Sequence, residues 1–389
     1  MLERDMIAVI ADDFTGAAEI GGVGLRHGLN VVIETKVEKD EDADLLVIAA
    51  DTRTLSPDCA RKEIKELTRK LLELNPKYIY KKLDSVLRGN IAEELDAQLE
   101  ISGKKKAVII AGNPNFKRLI KGGVYYVDGA PLAETSFADD TEYSIQSSSV
   151  VELLGSDRKN VTSASVEQPI PDLGLVVGDV TNNEDLKKWS KVIDCDTVAA
   201  GGAGFFDVLL EQDFKKLSNG EESKCKLGEK TLYVFGSAYP KSNELIQSIK
   251  DSKVFISNMP EDIYWEKNFK KSLLLNWAQE IVQKIEEKRR VIVTINHSGS
   301  EEEDIAIRIR ETVGQLVKII VDLVEFDDML IEGGATAAVI FKSLNITRLY
   351  PFNEIEPGVI QMNVAGYPRL SITTKPGSYI WPKEILLGE

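Results

Sequence analysis

The chain has few of the residues that would place it in several common classes. Its 389 residues include three cysteines, Cys59, Cys195 and Cys225, with no C-x-x-C pair. That excludes a disulfide framework and fits a reducing compartment. The two histidines, His27 and His297, exclude a His-rich metal cluster and an H-E-x-x-H helix. His297, in "INHSGS", reads as a loop residue. No apolar run approaches the ~20 residues of a membrane span, and the "MIAVIA" that precedes Asp12 is too short for an export signal. A cytoplasmic location and no membrane partner are the expectation. Basic residues are also scarce: 48 Lys and Arg stand against 63 Asp and Glu, a formal charge of −15. This field repels phosphodiester backbones and excludes nucleic acid as a partner, while a small anion would need locally concentrated Arg, Lys or backbone N–H groups. A homo-oligomer stays open.

Several motifs are missing as well. There is no G-x-x-x-x-G-K-[ST] phosphate loop and no G-x-S-x-G elbow. "GGVGLRHG" (21–28) only approximates a dinucleotide fingerprint, and it falls inside a predicted helix rather than after a strand, so its glycines read as packing residues.

Short β-branched runs alternate with amphipathic charged stretches: 6–11, 30–35, 44–50, 78–83, 106–112, 174–180 and 197–200. The alternation predicts α/β architecture with a mostly parallel sheet. Residues 53–75 carry the pattern of a helix, with Ser56 as N-cap and Pro57 in the first turn. The polar segment Lys215 to Lys230 is the expected link between a domain at 1–220 and a second at 230–389. In the second domain, strands are predicted at 231–237, 253–258, 290–296 and 329–334, and helices at about 267–289 and 301–323. Each domain is thus expected to be a mostly parallel sheet flanked by helices, with the active site in the interdomain cleft.

In such sheets ligands bind beyond the carboxyl ends of the strands. There the first domain carries Asp12 and Asp13, Arg53, the "KKLDSVLRGN" segment (81–90) and Asn113. Arg and Lys suit a carboxylate and Asp suits hydroxyl groups, so the set fits a polyhydroxy acid. The bland alternative is that Asp12 and Asp13 only cap the following helix and that Arg88 pairs with Glu93 or Glu94. In the second domain, "EGGATAA" (332–338), "FGSAYPKSNE" (235–244) and "TTKPGSY" (373–379) are strand-to-glycine turns of the kind that admit phosphate. "GGAGFFDVLL" (201–210) reads equally as an anion loop or as close packing of helix on strand.

Taken in order, these motifs resemble the four-carbon acid sugar kinase family over nearly the whole chain. "ADDFTGA" (11–17) and "KKLDSVLRGN" are the specific ones. "GGVYYVDGAPLAET" (122–135), "GGAGFF" (201–206), "FGSAYP" (235–240), "EGGATA" (332–337) and "EIEPGV" (354–359) follow in the family's order. Val86 stands where the family has Thr, and "TTKPGSY" is a loose version of its K-S-G-x-F-G ending. The resemblance implies a sugar-acid domain followed by a nucleotide domain, and ATP- and Mg²⁺-dependent phosphorylation of a tetronate-type acid (threonate, erythronate or 3-oxo-tetronate). It implies acid contacts at Asp12, Arg53, Lys82, Leu83, Asp84 and Ser85, with Arg88 either touching the acid directly or supporting those contacts from behind. ATP contacts would lie at Ser237, Gly333, Gly334, Ala335, Thr336 and Gly377. Asp12, Asp13 or Asp84 would orient or deprotonate the hydroxyl, and the metal ligands stay unassigned. A non-catalytic sugar-acid or nucleotide sensor and an NAD(P)-dependent dehydrogenase are the rival expectations.

Overall fold

A computed structural model describes residues 6–38, 42–138, 144–155, 158–214, 227–236, 254–295 and 303–377, with Ile246, Ile249, Tyr379, Trp381, Pro382 and Ile385. The backbone divides into two compact units, Met1–Ser218 and Asn219–Glu389.

In the first unit the β-branched runs become strands and the amphipathic stretches become helices: β1 (Ile7–Ala11), α1 (Phe14–Arg26), β2 (Val31–Glu34), β3 (Leu45–Ala49), α2 (Pro57–Glu73), β4 (Ile79–Lys82), α3 (Ile91–Ser102) and β5 (Lys106–Ile110). A three-stranded antiparallel meander follows, β6 (Arg118–Lys121), β7 (Val124–Val127) and β8 (Ala130–Pro131). The short α4 (Val150–Leu153), β9 (Val161–Ala164), β10 (Gly174–Gly178), α5 (Asn183–Ser190), β11 (Thr197–Gly201) and α6 (Ala203–Asp213) complete the unit. Eight of these strands form a parallel sheet in the order β2-β3-β1-β4-β11-β5-β10-β9. Strands such as β1 and β3 are buried along their whole length, as expected where helices cover both faces.

Helix α2 shows how the sequence sets an element. Ser56 Oγ accepts the Cys59 N–H and Pro57 opens the first turn. Ile64, Leu67 and Leu71, at helical spacing, share one buried cluster with Ile10, Leu46 and Ile48 of the sheet. Each such side chain contributes about 1.5–3 kcal/mol of burial. Within "GGVGLRHG", Gly21, Gly22 and Gly24 are buried in α1, and a Cβ on Gly24 would lie 2.6 Å from Leu45 and 2.7 Å from Val31, whereas Gly28 is an exposed turn residue at φ +70°.

In the second unit β12 (Thr231–Phe235), β13 (Val254–Asn258), α7 (Glu261–Trp265), α8 (Lys271–Lys288), β14 (Arg290–Thr294), α9 (Glu303–Leu323), β15 (Asp328–Glu332) and α10 (Gly334–Leu344) continue the alternation. The last part departs from it. β16 (Arg348–Glu356), β17 (Val359–Val364) and β18 (Tyr367–Lys375) form an antiparallel meander whose last strand joins β15 in parallel, giving the order β13-β14-β12-β15-β18-β17-β16. Among the described residues, no helix is long and apolar enough to cross a membrane.

Candidate active site

Strands β3, β1 and β4 are neighbours, so the residues just past their carboxyl ends meet. Asp12 and Asp13 follow β1, Arg53 follows β3, and Asp84 follows β4. The Arg53 guanidinium joins all three carboxylates. Its Nε donates to Asp12 Oδ2 at 2.8 Å, and its Nη1 lies 3.0 Å from Asp13 Oδ2 and 3.5 Å from Asp84 Oδ1.

The two adjacent aspartates have different work. Asp13 is the N-cap of α1: its Oδ1 accepts the Gly16 N–H at 2.8 Å and its Oδ2 accepts the Thr15 hydroxyl at 2.6 Å. The capping alternative therefore holds for Asp13 and fails for Asp12. Asp12 is 3% exposed, its second oxygen Oδ1 is buried without a hydrogen-bond partner, and its carbonyl takes the N–H groups of Thr52 and Arg53.

The loop after β4 is fixed by its own side chains. Asp84 Oδ2 accepts the Val86 and Arg88 N–H groups and Arg88 Nε, and Oδ1 accepts Arg88 Nη2 at 2.9 Å. Arg88 thus pairs with Asp84 rather than with Glu93 or Glu94, and its guanidinium stands 5.7 Å from the Phe137 ring centre. Gly89, at φ +90°, lets this loop approach Arg53, because a Cβ there would lie 3.0 Å from Arg53 Cγ. Asn90 Nδ2 donates to the carbonyls of Thr52 and Leu55, holding the Arg53 loop from the other side.

Successive residues of β4 point to opposite faces. Lys82 reaches Glu19 Oε2 at 3.1 Å and the Leu83 carbonyl, whereas Lys81 makes a buried 2.7 Å pair with Glu94. Leu83 departs from the expected acid contact: its side chain is fully buried in a cluster with Val86, Leu87 and Ile91, its N–H donates to the Gly201 carbonyl and its carbonyl accepts Lys82 Nζ. Ser85 is half-buried, and its carbonyl accepts the Tyr125 hydroxyl at 2.5 Å. Asn113 lies beyond β5 with a buried, unpartnered Oδ1.

The charges respond to this setting. Burial pushes the Asp12 carboxyl above its ordinary 3.8, with the attraction of Arg53 only partly offsetting it. For Asp13, burial is outweighed by Arg53 and the Thr15 hydrogen bond, and the carboxyl is lowered. Asp84 is lowered much further, because Arg53 and Arg88 outweigh its burial. Lys82 is likewise buried, yet Glu19, Asp12 and Asp13 raise it and keep it charged. Every cation of the cluster has a carboxylate of the protein beside it. The sequence-based pairing of Arg with an incoming carboxylate therefore has to compete with these internal partners.

"GGAGFFDVLL" resolves in part toward packing. Gly201 has φ +149°, and a Cβ there would fall 2.0 Å from the Ile110 carbonyl oxygen. Helix α6 starts at Ala203 with no side-chain cap.

In the second unit, β12, β15 and β18 are neighbours; the turn expected after β12 lies outside the described residues beyond Gly236, while β15 runs into the expected Gly333 turn and β18 into Pro376 and Gly377. Gly333, at φ +92°, is the N-cap of α10, which Gly334, Ala335 and Thr336 open without a side-chain cap. Thr336 is buried, and a Cβ on Gly236 would fall 1.9 Å from its hydroxyl. The Gly333 N–H donates to the Lys375 carbonyl at 2.9 Å, which links the turn to the one carrying Gly377. Ser237 and His297 lie outside the described residues. Sequence reading missed the Lys375–Glu332 pair between these turns and Glu19; it had Lys81 in the candidate segment and Glu94 as a possible partner of Arg88, but not the two as a pair. For Lys375 and Glu332 the signal was a charged residue at the last position of a strand.

A two-unit protein with a polar cluster at one sheet edge and glycine turns at another is the class these features define. Residues 7–237 match a family model described as a sugar-binding N-terminal domain, and residues 232–379 match one described as a nucleotide-binding C-terminal domain. The chain belongs to the four-carbon acid sugar kinase family. It is 25% identical to a D-erythronate kinase of Heliobacterium modesticaldum, over 63% of this chain and 60% of that protein. With a D-threonate kinase of Salmonella typhimurium it shares 36% identity over 38% of this chain and 35% of that protein. With a 3-oxo-tetronate kinase of Brucella melitensis it shares 24%, over 96% and 92%. The chain thus spans less than two thirds of the length of the first two and nearly all of the third. Two crystallised proteins share the fold at 19% identity: one from Salmonella typhimurium LT2 (TM-score 0.78, 96% of both chains), and Haemophilus influenzae protein HI1011 (TM-score 0.69, 96% and 97%).

Proposed function

We propose that the protein is a kinase that transfers the γ-phosphoryl group of ATP to a hydroxyl of a four-carbon sugar acid of the threonate, erythronate or 3-oxo-tetronate type. The first unit holds the acid through Asp12, Arg53, Lys82, Ser85, Asp84 and Arg88, and the second holds the nucleotide at Gly333, Gly334, Ala335, Thr336 and Gly377. The names of the relatives support the substrate class.

The observation that carries the reading is Asp12 Oδ1, a buried carboxylate oxygen with no partner. A buried polar atom without a partner costs free energy, about 1–3 kcal/mol or more when charged, and a catalytic role or a bound ligand is one reason for a protein to keep it. Among the described residues it is also the one oxygen of the three-carboxylate cluster that no donor occupies. In the transfer, the acid's hydroxyl oxygen forms a bond to the γ-phosphorus, the bond from that phosphorus to the β,γ-bridging oxygen breaks, and ADP leaves. The hydroxyl proton passes to Asp12 Oδ1. Arg53 holds the other oxygen of Asp12 and so fixes the direction of the acceptor. Asp13 and Asp84 hold Arg53 in turn.

Mg²⁺, in sites of this kind, is held by phosphate oxygens, several waters and one or two carboxylates, and it neutralises charge on the triphosphate. Asp12 Oδ1 is the carboxylate oxygen of the cluster that fits such a contact, but it cannot serve the ion and the proton together. We assign it to the proton and the ion to the phosphates.

The experiment is to mix protein, MgATP and a panel of four-carbon acids and follow ADP. Acid-dependent ADP with a phosphorylated acid supports the kinase. Binding of the acid without turnover would make the protein a sensor, and a nicotinamide absorbance change a dehydrogenase.

A further inference from the structure

We propose that Lys375 is a positioning residue for nucleotide binding, whose buried ammonium ties the Gly333 turn and the Pro376–Tyr379 turn into one cradle. The inference rests on the reading above that these two turns hold the nucleotide.

Lys375 ends β18 and is in register with Glu332, the last residue of the neighbouring parallel strand β15. Both side chains are fully buried, with Nζ 3.1 Å from Glu332 Oε2. The ammonium also donates to the Pro376 carbonyl at 2.9 Å and to the Tyr379 carbonyl at 2.5 Å, so its three N–H groups are all used. Trp381 closes the cluster. Its indole N–H donates to the same Glu332 oxygen at 3.0 Å, and its ring centre lies 5.5 Å from the ammonium. On the backbone, the Lys375 carbonyl accepts the Gly333 N–H. One residue therefore touches both turns.

With three acceptors and no exposure, Lys375 does not itself meet a phosphate. Nor does stability explain it, because apolar residues of similar volume generally hold two strand ends as well as a buried ion pair. What an apolar residue cannot do is hold the carbonyls of Pro376 and Tyr379 in place. That contact fixes the shape of the turn carrying Gly377, beside the helix start at Gly334.

The test is calorimetric titration of MgADP into the wild type, Lys375→Met and the double variant Glu332→Gln/Lys375→Met, alongside steady-state kinetics. Lys375→Met is expected to weaken MgADP binding about tenfold or more, the loss of a charge-assisted contact. The KM for MgATP should rise in step, while kcat at saturating ATP and the KM for the acid stay within about twofold. If the single variant does not fold, the double variant removes the orphaned Glu332 charge and should show the same weakening. Burial draws the Lys375 ammonium below the ordinary lysine value of 10.5, with Glu332 partly opposing. Wild-type affinity should therefore decline as pH rises toward that value, and the variants should lack this step. A folded variant that binds MgADP within about twofold of wild type overturns the inference alone, as does a pH decline identical in all three proteins. A wild type that binds no MgADP overturns the nucleotide reading and the inference with it.

Discussion

Arg53 Nε donates to Asp12 Oδ2 at 2.8 Å, joining residues 41 positions apart and leaving Asp12 Oδ1 buried and unpartnered. A carboxylate held at one oxygen and open at the other is suited to accept a proton. Asp12→Asn keeps an oxygen for Arg53 and removes the base. The expected result is a fall in kcat of about 10²–10⁴-fold, typical for loss of a general base. Because burial raises the Asp12 carboxyl, its charge opposes folding at neutral pH, so the variant's melting temperature should hold or rise. Turnover within about tenfold of wild type would remove Asp12 from the mechanism.

The three aspartates should respond to acid with opposite signs. Asp13 and Asp84 are held below 3.8, so their contribution to stability is complete above that pH and is lost as pH falls through their lowered values. Asp12 is raised, so its protonation relieves the folded state instead. Wild-type melting temperature should accordingly drop below about pH 4, and Asp84→Asn should remove part of that drop. Asp84→Asn should also cost about 3–5 kcal/mol at neutral pH, since it breaks a buried charged pair from one side. In kinetics, the acid limb of kcat/KM should lie above 3.8 and reflect Asp12. An acid limb at or below that value would point to another base.

Asn90 offers a test of the loop geometry apart from the chemistry. Its side-chain amide donates to the Thr52 and Leu55 carbonyls, which flank Arg53. Asn90→Ala should cost about 1–2 kcal/mol for the two hydrogen bonds and raise the KM for the acid more than it lowers kcat. A change confined to thermal stability would show that the Arg53 loop holds its position without this contact.

Much of this was legible in the sequence, and the rest failed for definite reasons. The apolar runs that ended up buried on both faces, such as Ile7–Ala11 and Leu45–Ala49, carry a signal that needs no partner to read. Strand ends in a parallel sheet share an edge, so Asp12, Arg53 and Asp84 could be grouped before any coordinates. Their division of labour could not. Asp12 and Asp13 are identical in type, and only the direction each takes from the chain, toward Arg53 or back onto Gly16, separates cap from open acid. The antiparallel meanders were also missed, although Gly122-Gly123, Asp128-Gly129 and Pro357-Gly358 mark their turns and take up positive φ at Gly122, Gly123, Asp128, Gly129 and Gly358. Alternation with helices elsewhere made a parallel reading the easier one. The Lys375–Glu332 pair depends on strand register, which a sequence does not print.

Two glycines of the second unit separate a packing role from a ligand role. A Cβ on Gly236 would fall 1.9 Å from the Thr336 hydroxyl, so Gly236→Ala must displace the first turn of α10. It should cost about 1–3 kcal/mol of stability, as overpacking does, and raise the KM for MgATP. Among the described residues a Cβ on Gly377 meets nothing within 4 Å, so Gly377→Ala should leave the melting temperature unchanged. Any loss of nucleotide affinity in that variant then comes from the methyl group meeting the ligand itself. Measured MgADP affinity should fall for both variants and melting temperature for Gly236→Ala alone. A Gly377→Ala protein with wild-type affinity would place the nucleotide away from that turn and leave Gly333 to Thr336 as its cradle.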